Sequence, residues 1–205
     1  VSRQDARREM GLEPIDGVFI GTAQRMSKRK DQPTLIRAFA QFSADRPDAR
    51  LFIAGDGPRR EELKKLTSEL GLSDRVVFLG QIEKMPHFLR ALDVFVLSTL
   101  SEGLPRALLE AMASGTPCIA TDAGGNAEAI NSSEVGTLLA PGDVQGMATA
   151  MTRHVQMTQS GPDSSIARRA REHFDTNIMI QRTEALYREL ASRVLRFRPN
   201  PPNGR

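Results

Sequence analysis

Cysteine is almost missing from this chain. Cys118 is the single one among 205 residues, so no internal disulfide can form, which suits a reducing compartment. Tryptophan is absent as well. No uninterrupted apolar run approaches ~18 residues, so nothing in the sequence predicts a bilayer-spanning helix. No signal-peptide pattern opens the chain, and a start at Val1 without methionine suggests a fragment. Neither sign of charge dominates: 28 Lys and Arg face 25 Asp and Glu, for a net charge of +3. Such a small surplus does not argue for nucleic acid or an anionic membrane as partner, although a local cluster can still attract phosphate. The glycine fingerprints G-x-G-x-x-G and G-x-x-x-x-G-K-[ST] are missing, and with them the dinucleotide and P-loop readings. No Asp-x-Asp pair occurs.

What is present has the composition of an average globular domain, 40% hydrophobic and 26% charged with 16 Gly and 12 Pro. That excludes collagen-like, fully disordered and disulfide-scaffold chains. Short, nearly continuous apolar runs recur at Gly17–Gly21, Arg50–Ala54, Val76–Leu79, Asp93–Leu97, Pro117–Ala120 and Gly136–Leu139. Runs of this kind are the mark of parallel strands covered on both faces. Amphipathic stretches alternate with them: Thr34–Ala44, Arg59–Leu70, Met85–Leu92 and Arg106–Ser114. The alternation predicts a doubly wound, Rossmann-like parallel α/β sheet of about six strands with right-handed crossovers and helices on both faces.

A short helix is expected over Ser2–Met10, and extra helices follow the sixth strand. Asp143 can cap Val144–Met157, Ser164 or Ser165 opens a second helix, and Asp175 or Thr176 opens a third reaching about Leu195. One domain over residues 1–195 is expected, with a flexible tail at 196–205, where three prolines fall.

In such a sheet a ligand binds beyond the carboxyl ends of the strands, where the strand order reverses. With six strands in the commonest order, that point lies between the first and fourth. After the first strand, Gly21 lets backbone approach a ligand, and Arg25, Lys28, Arg29 and Lys30 put four cations within six residues. Arg25 offers a planar fork and Lys30 a point charge, a pairing suited to pyrophosphate; a solvated basic loop accounts for the segment equally well. After the fourth strand, Glu102 precedes a helix bracketed by Pro105 at its first position and Gly115 at its stop. Amides around Gly103, Leu104 and the residues after Pro105 would form an anion site beside that carboxylate. Glu110 lies in the most apolar stretch of the helix. It is expected to be buried and to accept hydrogen bonds, ribose hydroxyls being good candidates; the competing explanation is an i,i+4 pair with Arg106.

Other chemistry-bearing residues have plainer explanations. Cys118 reads as a small core residue. His87, His154 and His173 are scattered without metal-ligand spacing and read as surface or helix-end residues. Met147, Met151 and Met157 read as helix packing. Arg168, Arg169 and Arg171 read as a solvated face, with Phe174 alone near enough to stack on a base. Gly124 and Gly125 with Glu128 are a further candidate donor contact, which a turn before a helix explains nearly as well.

The run Glu102-Gly-Leu-Pro-Arg-Ala-Leu-Leu-Glu110 followed by Ala-Met-Ala-Ser-Gly closely resembles the Glu-x7-Glu signature of retaining, GT-B-fold glycosyltransferases of family 4 (glycosyl transferases group 1). Arg25 and Lys30 match the family's Arg-x4-Lys. Leu51–Pro58, Val76–Ile82 and Asp122–Glu128 resemble family segments in the expected order, and Phe174 to Leu190 resembles the closing helices. The likeness covers about Arg7 to Leu190. It departs at Gln24 and Asp31, where the family usually has glycine; Asp31 beside Lys30 would soften the local positive field.

The resemblance implies the C-terminal, donor-binding half of a GT-B enzyme, with the N-terminal acceptor domain absent and the final helix left with exposed apolar residues such as Ile178, Ile180 and Leu186. It implies that Arg25 and Lys30 hold the diphosphate of a UDP- or GDP-sugar, and that Glu110 takes the ribose. Glu102 would act on the donor sugar as the catalytic residue, supported by Gly103–Pro105, while the backbone at Ile82 meets the base. Transfer would proceed with retention, without a metal or other cofactor, in polysaccharide or glycoconjugate biosynthesis. The implied compartment is the cytoplasm, with any membrane association made through the missing half, so the isolated domain is expected to bind donor without turning it over. A phosphorylase or nucleotide-sugar epimerase of the same fold, and a non-catalytic nucleotide-binding module, are the alternative readings.

Overall fold

The computed structural model describes residues 1–12, 16–158 and 164–196. Six strands form one all-parallel sheet in the order β3-β2-β1-β4-β5-β6: β1 (Phe19–Ala23), β2 (Arg50–Ala54), β3 (Val76–Gly80), β4 (Val94–Leu97), β5 (Cys118–Thr121) and β6 (Gly136–Leu139). The order reverses between β1 and β4, where the sequence places the reversal. The first strand runs two residues later than expected. Gly21 therefore lies inside β1, paired with Phe52 and Phe95 on either side. A Cβ there would stand 2.5 Å from the methyls of Leu92, so packing explains the glycine.

Alternate residues of each strand serve opposite faces. Ile20, Leu51, Ile53, Val94, Val96 and Ile119 pack under α2 (Gln32–Phe42), α3 (Arg60–Glu69) and α7 (Val144–Thr158) through Leu35, Phe39, Leu63, Met147 and Met151. Phe19 and Phe52 stack at 4.6 Å between ring centres on the other face, the side toward which Gly21 meets Leu92. Met157, by contrast, is exposed, so it takes no part in the packing expected of it.

The chain enters through α1 (Arg3–Met10), which Ser2 caps by accepting the Asp5 amide and Gly11 ends at φ 63°. Arg7 of this helix is buried. It donates to the Ala91 and Gly17 carbonyls and, at 2.8 Å, to Asp93, whose carboxylate also accepts the Phe19 amide at 2.7 Å. Burial pushes the Arg7 guanidinium below its ordinary value, and Asp93 opposes that shift. This clamp sits at the amino ends of β1 and β4, opposite the crevice.

The chain divides into a larger body at residues 1–170 and a smaller one at 171–205. The helix α8 (Ser164–Phe174) runs through the division, and α9 (Thr176–Arg196) belongs to the second body. On α9, Met179, Ile180, Leu186, Tyr187 and Leu190 are exposed, as expected for Ile180 and Leu186, while Ile178 is partly buried. The expected tail lies outside the described residues beyond Arg196. Among the described residues no helix is long and apolar enough to cross a membrane.

Candidate functional site

The two loops at the reversal point are stitched together by backbone. A single 3₁₀ turn, Lys28–Lys30, leaves β1 and lies on the exit of β4. The Arg29 carbonyl accepts the Leu100 amide at 2.8 Å and the Thr99 hydroxyl at 3.0 Å. The Lys30 carbonyl accepts the Ser98 hydroxyl at 3.1 Å and the Gln24 side-chain amide at 3.3 Å. With its main chain so held, Lys30 directs its ammonium onto Glu102, and the two form an ion pair, each side chain about one-fifth exposed.

Both departures from the family's glycines have local explanations. Asp31 sits at φ 40°, a left-handed conformation that glycine adopts freely and aspartate tolerates. Its carboxylate accepts the Thr34 hydroxyl at 2.7 Å. Asp31 thus turns its carboxylate to α2, and the ion-pair partner of Lys30 is Glu102. Gln24 is buried and donates through its side-chain amide to the Lys30 carbonyl, while its own amide oxygen finds no partner among the described residues.

The remaining expected residues spread around this pair. Arg25 is exposed and its side chain pairs with no described residue. The helix α5 (Arg106–Ala113) starts from Pro105 as its cap rather than its first residue. The amides of Gly103, Leu104, Arg106 and Ala107 donate to no acceptor among the described residues. Four amides without an acceptor among the described residues thus stand at the start of a helix, the end that favours negative charge.

Glu110 departs from expectation. Its side chain is 44% exposed and lies 3.6 Å from Arg106, so the i,i+4 pair is formed and the expected burial is not. The expectation failed because α5 turns the Glu110 face outward while Leu108, Ala111 and Met112 take the core. Glu110 instead borders a hollow of about 350 Å³ with Met85, Pro86, Leu89, Ala113 and Ser114. Met85, Pro86 and Leu89 come from α4 (Met85–Ala91), which follows the β3 exit and Ile82.

Two threonines unnoticed in the sequence, together with Gly125, support the segment that carries Glu102. The Thr121 hydroxyl at the end of β5 donates to the Thr99 carbonyl at 2.6 Å and accepts the Thr99 amide at 2.9 Å. The Gly125 amide donates to the Gly103 carbonyl at 3.0 Å. Nothing in residue type marks Thr121 or Thr99 as special; the pairing depends on two strands meeting.

The residues set aside also have defined places. Cys118 is fully buried and its thiol is pushed well above the ordinary range, which makes it a poor nucleophile. His154 corrects its surface reading. It is buried on α7, its Nε2 lies 2.9 Å from the Thr137 hydroxyl, and burial with the nearby Arg153 charge lowers its pKa to about 4. His87 pairs with Glu9 at 3.0 Å. No group of three or more metal-ligating side chains occurs among the described residues.

Residues 4–173 match the family model described as glycosyl transferases group 1. The chain belongs to that family. Among curated relatives it is 37% identical over 142 residues to the lipopolysaccharide core biosynthesis glycosyltransferase LpsE of Rhizobium meliloti, covering 69% of this chain and 41% of the relative. It therefore spans about two-fifths of that family member's length. Among solved structures, HepE of Anabaena in complex with UDP superposes with a TM-score of 0.80 at 29% identity, over 90% of this chain and 52% of HepE. The C-terminal domain of the family protein LpcC of Francisella tularensis matches with a TM-score of 0.66 at 28% identity, over 84% of this chain and 88% of that domain. The sheet and its flanking helices are those of one half of the GT-B fold.

Proposed function

We propose that this chain is the nucleotide-sugar-binding domain of a retaining glycosyltransferase, working opposite an N-terminal acceptor domain in polysaccharide or glycoconjugate biosynthesis. The observation that carries the reading is the meeting of Lys30 and Glu102 at the reversal point, beside four unpaired amides. A cation, a carboxylate and free amides together suit a ligand with both phosphates and hydroxyls. HepE, which shares the fold, has been solved with UDP and with UDP-glucose.

In this reading the diphosphate of a UDP- or GDP-sugar settles between Arg25, Lys30 and the Gly103–Ala107 amides. It takes Lys30 from Glu102, and the released carboxylate accepts the donor sugar's hydroxyls. Glu110 accepts the ribose hydroxyls from the edge of the 350 Å³ hollow, and the base lies toward the Ile82 backbone.

As the glycosidic bond breaks, its electron pair stays on the diphosphate, and the site is preorganised for the charge that develops there. Three kinds of donor meet it: the Arg25 fork, the Lys30 ammonium and the α5 amides. The acceptor oxygen attacks from the same face and its proton passes to the leaving phosphate, so no metal is required. Glu102 steadies the positive charge growing on the sugar ring. Gly21, inside β1, contributes by letting the strand pack rather than by touching the ligand. The cytoplasm, or its membrane surface, is the compartment this reading implies.

The test is calorimetric titration of the chain with UDP, GDP and ADP in the presence of EDTA. One of the uridine or guanosine nucleotides should bind. Absence of binding to all three, or binding that requires added Mg²⁺, overturns the donor reading or its metal independence respectively.

A further inference from the structure

The loop between β5 and α6 (Asn126–Ala129) is threaded against the backbone that carries Glu102. Gly124 adopts φ 60°, and a Cβ on it would collide with the Glu102 carbonyl oxygen and stand 2.8 Å from the carbonyl carbon. A Cβ on Gly125 would stand 2.5 Å from the Gly103 carbonyl oxygen, the same oxygen that accepts the Gly125 amide at 3.0 Å. These glycines are therefore not the free turn that the sequence allows. They are the surface on which residues 102–103 rest.

Behind them the contact continues through buried polar groups. Asn126, fully buried, donates through Nδ2 to the Thr121 carbonyl at 2.8 Å. Thr121, also fully buried, exchanges two hydrogen bonds with the Thr99 backbone. The Thr99 hydroxyl reaches the Ser101 carbonyl at 3.1 Å and the Arg29 carbonyl at 3.0 Å. One continuous set of bonds thus fixes the segments bearing both members of the Lys30–Glu102 pair. Buried networks of this kind hold a single geometry because every broken bond would leave an unpaired group.

We infer that Gly124, Gly125 and Thr121 are positioning residues for Glu102, setting where its carboxylate meets the donor sugar more strongly than they set the diphosphate seat. The inference rests on the proposed donor reading. Its physical content is selectivity within one ligand: the Glu102 contact to the sugar depends on the β5–α6 loop, whereas the nucleotide end is held mainly by Arg25, Glu110 and the α5 amides, with Lys30 and the Gly103 amide shared between the two.

The experiment compares affinities for UDP and UDP-glucose, or GDP and GDP-mannose if guanosine nucleotides bind, in the full chain and its variants. The wild-type ratio of nucleotide-sugar to nucleotide affinity is the reference. In Gly124→Ala and in the near-isosteric Thr121→Val that ratio should fall about tenfold, the loss expected when a charge-assisted hydrogen bond is misaligned. Affinity for the free nucleotide should fall by less than about threefold, because among the phosphate contacts only Lys30 and the Gly103 amide are tied to the network, whereas the Arg25 fork is not. Gly142→Ala serves as the comparator: Gly142 also has a left-handed φ, 81°, but open space around it, so it should lose stability without moving the ratio. If Gly124→Ala does not fold, Thr121→Val decides.

An unchanged ratio in the folded variants, or parallel loss of both ligands, overturns the inference and leaves the loop a fold element. A wild-type chain that binds neither nucleotide, or Glu102→Ala that leaves the ratio unmoved, instead overturns the donor reading beneath it.

Discussion

The ammonium of Lys30 and the carboxylate of Glu102, 72 residues apart, form an ion pair across the point where the strand order reverses. In the proposed reading, a ligand with phosphates and hydroxyls takes this pair apart. Each side chain is about one-fifth exposed, so the contact is open to competition.

That competition has a measurable sign. Glu102→Gln removes the rival anion from Lys30, and nucleoside diphosphate affinity should rise about two- to fivefold, in keeping with a partly exposed pair worth ~0.4–1 kcal/mol. With Lys30 already changed to Met, the same Glu102→Gln substitution should give a smaller rise. Titration of the four proteins checks the coupling, and a fall in affinity for Glu102→Gln alone would show that the carboxylate helps the nucleotide rather than competing with it.

Arg25 has no partner within the described structure and is free for a ligand. Arg25→Ala should cost about 1.5–3 kcal/mol of nucleoside diphosphate binding, roughly 10- to 100-fold. The thermal midpoint should barely move, because the side chain is exposed and stabilises nothing. Calorimetry together with a melting curve checks both halves.

Away from the crevice, Asp93 neutralises buried Arg7 and accepts the Phe19 amide. Asp93→Asn keeps the shape but strands a buried guanidinium, and should destabilise the chain by about 3–5 kcal/mol. Denaturant unfolding measures this. A loss below ~1 kcal/mol would mean that water reaches Arg7.

His154 makes stability depend on acid. Its folded pKa of about 4 lies below the ordinary histidine value of 6.5, so below neutrality the unfolded chain binds the extra proton. Its contribution is present above pH 6.5 and lost as pH falls toward 4, amounting to about 2 kcal/mol by pH 5. Unfolding midpoints at pH 7 and pH 5 should converge in His154→Gln relative to wild type.

The parallel sheet was legible in the sequence because strands buried on both faces need unbroken apolar runs, and Arg50–Ala54 and Gly136–Leu139 coincide with β2 and β6. The basic and acidic segments were legible because strand order alone brings the ends of β1 and β4 together. Glu110 was misjudged for a physical reason. Apolar neighbours along a helix do not say which way one position turns, and Leu108 and Met112 point inward where Glu110 does not. His154 was misjudged likewise, its burial set by Thr137 on another element.

Composition and periodicity, then, determined the architecture and the location of the crevice, since these follow from local preference and the burial of apolar runs. Tertiary structure alone decided the partners: Lys30 with Glu102, Thr121 with Thr99, Gly124 against the Glu102 backbone, Arg7 with Asp93. Each joins segments far apart in sequence, and such contacts depend on distances of a few ångströms that no linear pattern encodes.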